Sequence, residues 1–252
     1  MPALKLLKEV PKADCATCPH RDVTLPAGRC LPGDACLIAH SGRQIDRFLR
    51  RNPDYAEACL ADAFWERRAI AIRYAPLAAV RPLAKDADEA VRRAVAMRLP
   101  ADELIGLMND SDREVRITVA ARMPSGKLSL MMGDPDYMVR LQVASRMPHG
   151  SLPRMAHDPD REVRKEVARR LPAFALARLA ADEDAEVRRI AAGRMLPEDA
   201  AGLLADGDWL VRLEAARRAA PETLSALIDD PEPEVRAIVL ARLNGTPDRE
   251  EA

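Results

Sequence analysis

The sequence predicts an all-α solenoid of 24-residue repeats behind a small, loop-rich metal-cluster segment, and three observations predict it. The dipeptide Val-Arg recurs at 91–92, 115–116, 139–140, 163–164, 187–188, 211–212 and 235–236, always 24 residues on, without insertion or deletion. Nothing in the unit alternates with period two, so no strand and no β-sheet are expected. Four of the five cysteines crowd into "CATCPHRDVTLPAGRCLPGDAC", residues 15–36.

The front segment spans 1–60. Its cysteines are spaced Cys15-x2-Cys18-x11-Cys30-x5-Cys36. A C-x-x-C pair puts two thiolates on one tight turn, and a second pair around "LPGDA" can close a site from the other side. Pro19, Pro26, Pro32, Gly28 and Gly33 describe a segment that owes its shape to ligation. Four thiolates suit tetrahedral zinc or a [4Fe–4S] cube. Spacing alone favours zinc: separated pairs are its usual arrangement, and the compact ferredoxin run is absent. His20 lies beside the cluster as a loop histidine.

The stretch "QIDRFLRRNPDYAEACLADAFWERRAIAIRYAP" reads as helices bridging into a degenerate capping repeat at 61–84, marked by Asp62, Arg68 and Pro76. Phe48, Phe64 and Trp65 are expected to cover the end of the stack. Arg50, Arg51, Arg67 and Arg68 are expected to be solvated. Cys59 falls in the frame of Leu83, Leu107, Met131, Met155, Leu179, Leu203 and Leu227, so it is expected to be a buried small hydrophobe rather than a ligand.

Eight units fill 61–252. In "DSDREVRITVAARMP", Val115, Val119 and Met123 form the i, i+4, i+8 stripe of a helix. Two acidic slots open each unit, Asp86 to Asp230 and Asp88 to Glu232. Either could be the N-cap. Proline ends the helix at 100, 124, 148, 172 and 197. The slot of Ala96, Ala120, Ala144, Ala168, Ala192 and Ala216 stays small, as close helix approach requires. The remaining residues, with Leu104, Leu107 and Met108, suffice only for a short α- or 3-10 helix. Such a unit buries its stripe only against its neighbours. Arg92-type and Asp86-type residues are expected to pair within or between repeats. The row Arg98, Arg122, Arg146, Arg170, Arg194, Arg218 and Arg242 belongs to the same ladder, or else faces outward toward an anionic partner.

Composition narrows the function. Acidic and basic residues nearly cancel, 40 against 39, and only eight residues are aromatic, so nucleic-acid binding is not expected. "MPALKLLKEVPK" lacks the apolar run of a signal peptide and no stretch could span a bilayer, which predicts a cytoplasmic protein in which disulfides rarely persist. No His-Glu dipeptide, H-x-x-x-H pair or phosphate loop is present. No catalytic residue is expected, and the chain is not predicted to be an enzyme.

A unit of the form "DxDxxVRxxVAxRMP…L..LM.D" behind four clustered cysteines resembles the leucine-rich repeat variant (LRV) proteins of nitrogen-fixing bacteria. The resemblance implies alternating α- and 3-10 helices in a right-handed superhelix, and a [4Fe–4S] cluster held by Cys15, Cys18, Cys30 and Cys36. That displaces zinc as the expected metal. It implies an association with nitrogen fixation but no established reaction. The unit also resembles the HEAT-like repeats of phycobilin lyases and some DNA-glycosylase relatives, whose units are longer, at about thirty residues or more, and lack this cysteine segment. The leading expectation is a redox-responsive protein-interaction module or an electron-transfer module with an unidentified protein partner. The alternatives are a zinc-capped structural scaffold and a HEAT-like nucleic-acid-modifying protein.

Overall fold

The computed structural model describes residues 13–245; the opening stretch tested above for a signal peptide and the tail of the eighth unit, 246–252, lie outside them. The described residues form helices and loops, with one isolated β-bridge between Leu31 and Ala35 and no strand. Two compact units divide the chain between Met123 and Pro124.

The first unit begins with the cysteine segment, which holds one short helix, Arg21–Thr24. Helix Gly42–Arg51 follows, and then helix Trp65–Ala71, which packs against it. Regular repeats begin with helix Glu89–Arg98, the 3-10 helix Ala101–Leu107 and helix Arg113–Arg122. The second unit stacks helices Tyr137–Arg146, Arg161–Arg170, Ala185–Ala192, Trp209–Arg218 and Pro233–Leu243. Short helices connect them, such as Ala173–Leu179 and Pro221–Leu227, both 3-10.

The predicted stripe is the core: Val115, Val119 and Met123 are fully buried, as are Val163, Val167 and Leu171 a repeat pair later. Ala96, Ala120, Ala144, Ala168, Ala192 and Ala216 have no exposed surface. Helices Glu89–Arg98, Arg113–Arg122, Tyr137–Arg146 and Arg161–Arg170 stop where the residue before the next proline turns extended, as at Leu99 (ψ 150°) and Met123 (ψ 146°).

The two acidic slots divide the labour. The second is the N-cap: Asp88, Asp112, Asp136, Asp160, Asp184 and Asp208 each accept a backbone N–H from the first turn. Glu232 makes no such bond. The first slot joins the arginine ladder. Arg92 Nε and Nη2 donate to the two carboxylate oxygens of Asp110, both at 2.8 Å, and Nη1 donates to the Asp86 carbonyl at 2.9 Å. Asp110 in turn accepts the Asp112 N–H at 2.9 Å. The same fork joins Arg68 to Asp86 in the first unit, and in the second Arg140 to Asp158, Arg164 to Asp182, Arg188 to Asp206 and Arg212 to Asp230. The pairing therefore runs between repeats, with planar bidentate geometry that lysine could not reproduce.

The second arginine row closes helix ends. The last carbonyls of a helix lack intrahelical partners. Arg122 Nη1 donates to Ala96 O and Leu99 O, Arg194 to Ala168 O and Leu171 O, and Arg242 to Ala216 O and Ala219 O. Arg98 is exposed and makes no such bond.

Two expectations for the bridging region are corrected. Arg67 and Arg68 are not solvated: Arg68 is the first rung of the ladder, and Arg67 bonds Asp62 and the Leu37 carbonyl. Phe48 lines the cysteine cavity described below rather than covering the end of the stack, and Trp65, 42% exposed, lines a groove beside helix Glu89–Arg98.

Candidate metal centre

Loop chemistry brings the four cysteines together. Asp14 accepts the Ala16 N–H at 2.8 Å, which turns the chain between Cys15 and Cys18. Beyond helix Arg21–Thr24 the carbonyl of Thr24 accepts the N–H groups of Arg29 and Cys30, at 2.8 and 3.3 Å. That loop turns through Gly28, whose φ of +64° suits glycine. Leu31 and Ala35 exchange both backbone bonds across a turn in which Gly33 has φ +80°. The Cys36 N–H donates to Gln44 O at 3.1 Å, and the Gln44 side chain donates to Gly33 O at 2.9 Å, so helix Gly42–Arg51 grips the second cysteine pair.

Cys15, Cys18, Cys30 and Cys36 line a single cavity, backed by Phe48 and flanked by His20. Cys36 is buried and the other three are partly exposed. Among the described residues no three His, Cys, Asp or Glu side chains converge on a point that could hold one metal ion; the thiols share a cavity wall. Burial pushes the Cys36 thiol above its ordinary value, and negative charge on Cys18 and Cys15 adds to that. The N–H groups of Ile38 and Ala39, directed at its sulfur, pull the other way. A cation at the cavity would relieve both raising effects. The residues therefore fit a thiolate-bound metal group: four soft donors on one cavity, one already supplied with N–H donors.

Several supporting residues carry no sequence signal. Asn52 has no exposed surface; its amide donates to Arg29 O and Phe48 O, both at 2.9 Å, and accepts Arg29 Nε at 2.5 Å. It fixes the residue before Cys30. Arg67 Nε donates to Leu37 O at 2.8 Å, fixing the residue after Cys36. Arginine beside a cysteine was visible in the sequence at Arg29, but a lone Asn before a proline was not. His20 meets the Tyr55 ring edge-on, with centroids 5.2 Å apart. Cys59 is buried away from the cavity, its thiol pushed up to about 11 by burial, as an apolar core position implies.

Residues 11–58 match the family model described as the LRV protein FeS4 cluster, and residues 137–160 and 161–184 match the leucine rich repeat variant. A solved leucine-rich repeat variant, described as having a novel repetitive protein structural motif, aligns with a TM-score of 0.86 and 53% identity over 92% of this chain and 99% of that one. The chain belongs to the leucine-rich repeat variant family. An uncharacterized 27.7 kDa protein of Rhodobacter capsulatus, from the nifB 3' region, is 40% identical over 88 residues, 35% of this chain and 36% of that protein. The match to that relative thus spans about a third of its length. This LRV chain is an iron–sulfur repeat protein: the segment matching the iron–sulfur family model is the one that gathers the cysteines. No helix among the described residues is long and apolar enough to cross a membrane.

Proposed function

We propose that Cys15, Cys18, Cys30 and Cys36 hold a [4Fe–4S] cluster, one thiolate per iron, and that the chain is a redox-responsive interaction module or electron carrier of the cytoplasm rather than an enzyme. The observation that carries this reading is the sharing of one cavity by four thiols from two loops within the segment that matches the iron–sulfur family. When bound, the cluster supplies a one-electron redox couple. The chain's own residues do the rest. The Ile38 and Ala39 N–H groups donate toward the Cys36 sulfur, stabilising its anionic form. Asn52 and Arg29 hold the Cys30 loop, and Phe48 keeps water from one side. Arg67 links the loop after Cys36 to helix Trp65–Ala71, giving the centre a direct bond into the first repeat. The Rhodobacter capsulatus relative, from a nifB 3' region, supports a role alongside nitrogen fixation; the partner in this reading is a protein that docks on the repeat surface.

Anaerobic purification followed by metal and sulfide analysis tests the cofactor. About four irons and four sulfides per chain, with broad visible absorption lost in Cys36→Ser, are expected. One zinc per chain in a colourless protein would refute it. Voltammetry of the loaded protein should show a reversible wave. An iron-free protein binding its partner with unchanged affinity would refute the redox coupling.

A further inference from the structure

Between helices Trp65–Ala71 and Glu89–Arg98, within the first unit, lies an open groove of about 540 Å³. Its floor takes in Ala69, Ala90 and Ala94 with the buried Ile70 and Ile72; Trp65 and Met97, 42% and 61% exposed, are its exposed apolar contacts, and Arg73, Arg93 and Arg98 are its cations. Glu66 is the single acid among its lining residues.

The groove exists because two slots are empty of bulk. The Ala90 slot is Glu114, Met138, Glu162, Glu186, Leu210 and Glu234 in the later repeats, and the Ala94 slot is Thr118, Gln142, Glu166, Ile190, Glu214 and Ile238. Four of those later acids neutralise a cation of their own helix. Lys165 pairs with Glu162 at 3.0 Å and Arg189 with Glu186 at 2.8 Å, three residues back in each case. Arg169 pairs in the same manner with Glu166, and Arg217 with Glu214. Alanine at 90 removes that partner from Arg93, whose nearest acid is Glu114 of the next repeat at 3.9 Å. Arg98 is exposed and makes none of the carbonyl bonds of its row. One groove therefore combines a missing acid, a missing side-chain volume and an exposed aromatic.

We infer that this groove docks an acidic amphipathic helix of a partner protein, its apolar face against the alanine floor between Trp65 and Met97, its carboxylates on Arg93 and Arg98. This is the helix-in-groove mode, with small residues permitting close backbone approach and rim charge selecting the partner's sign. The inference rests on reading the chain as an interaction module and names the surface and the partner chemistry for it. Arg73 is held at 3.1 Å from Asp46 of helix Gly42–Arg51, which also carries Gln44 of the cysteine loops, so the groove adjoins the metal centre's scaffold.

The test uses the full, iron-loaded chain and a labelled peptide of about 14 residues, near 20 Å as a helix, with Leu at helical spacing and Glu elsewhere. A twin carries Lys for Glu. Fluorescence anisotropy should show saturable binding of the acidic peptide only. Ala90→Glu with Ala94→Glu installs what later repeats carry, so melting temperature and visible absorption should be unchanged while affinity falls at least about tenfold. Arg93→Glu with Arg98→Glu should lose the acidic peptide and gain the Lys twin. Equal binding of both peptides, no saturable binding, or indifference to the Ala90/Ala94 pair overturns the inference. Displacement of the peptide by inorganic phosphate at equal ionic strength would assign the groove to a small anion and overturn it as well. A loaded protein that fails with the peptide removes the groove alone; a groove that works in a protein free of iron and of redox response removes the proposed function instead.

Discussion

Replacing Arg212 by Met tests what the arginine ladder contributes. Arg212 Nε and Nη2 donate to the two oxygens of Asp230 at 2.7 and 3.0 Å, and Nη1 donates to the Asp206 carbonyl at 2.9 Å. The side chains are 12% and 2% exposed. Removing one member of a buried ion pair costs about 3–5 kcal/mol, because the remaining charge is stranded. Here the lower end applies. Asp230 keeps the Glu232 N–H at 2.9 Å, and the Arg236 charge still acts on it. A loss of about 3 kcal/mol is expected, a large share of a domain's whole stability of roughly 5–15 kcal/mol. Asp230→Asn, which keeps an acceptor for Glu232, should cost less, about 1–2 kcal/mol. The pair Arg212→Met with Asp230→Leu should recover part of the loss and show coupling in a double-mutant cycle. Urea denaturation is the assay, since guanidinium would compete for the carboxylate. In a stacked array the lost interface should also uncouple helix Pro233–Leu243 and broaden the transition. A change below about 0.5 kcal/mol for Arg212→Met would mean the valine stripe alone holds the repeats and the ladder is incidental.

Other consequences follow from the same geometry. Asp160→Ala removes an N-cap that accepts the Glu162 N–H at 2.8 Å and should cost about 1 kcal/mol, whereas Glu232→Ala, at a cap without a side-chain bond, should be near neutral by thermal melting. The guanidinium of Arg188 lowers the carboxyl of Asp206, and that of Arg212 lowers Asp230. Their stabilisation is full above the unfolded carboxylate value of about 3.9 and is lost as pH falls through the lower folded values, so acid titration of stability should be flattened in Arg188→Gln with Arg212→Gln. Asn52→Leu strands the Arg29 carbonyl and its Nε–H, while Phe48 O keeps the backbone N–H of residue 52, and should cost about 1–3 kcal/mol. It should also speed loss of visible absorption under chelator, while an unchanged rate would show that Asn52 does not position Cys30.

Much of this was legible because a strict period repeats each signal five to seven times. The valine stripe, the small alanine slot and the proline stops needed no tertiary information. The N-cap was not legible, since both acidic slots hold Asp and both accept backbone N–H groups; only the guanidinium from the preceding repeat separates Asp110 from Asp112. Likewise the pairing of Arg68 with Asp86 was hidden by the degenerate unit around it. The four cysteines were found by crowding alone. The residues that orient them were not, because Asn52 and Arg67 act on backbone carbonyls, which any sequence provides. The groove was hidden for the opposite reason: its signal is two alanines in a sequence rich in alanine, visible only once the repeat frame shows which side chains they replace.

A stacked repeat leaves at its end the bonds its neighbour would have made. Asp62 holds the ladder slot of Asp86, but no regular repeat precedes it to send a guanidinium. Arg67 of its own helix serves instead, 2.5 Å away, and the same guanidinium holds the Leu37 carbonyl. The cap of the first repeat is therefore the loop that follows Cys36. An apolar cap would have covered the end without a cofactor. With the Cys36 thiol one residue from the capping bond, ordering at Cys36 and ordering of helix Trp65–Ala71 pull on the same short piece of backbone. Trp65 lies on the groove side of that helix, and this is a bonded route by which a change at the thiols could reach a docked partner.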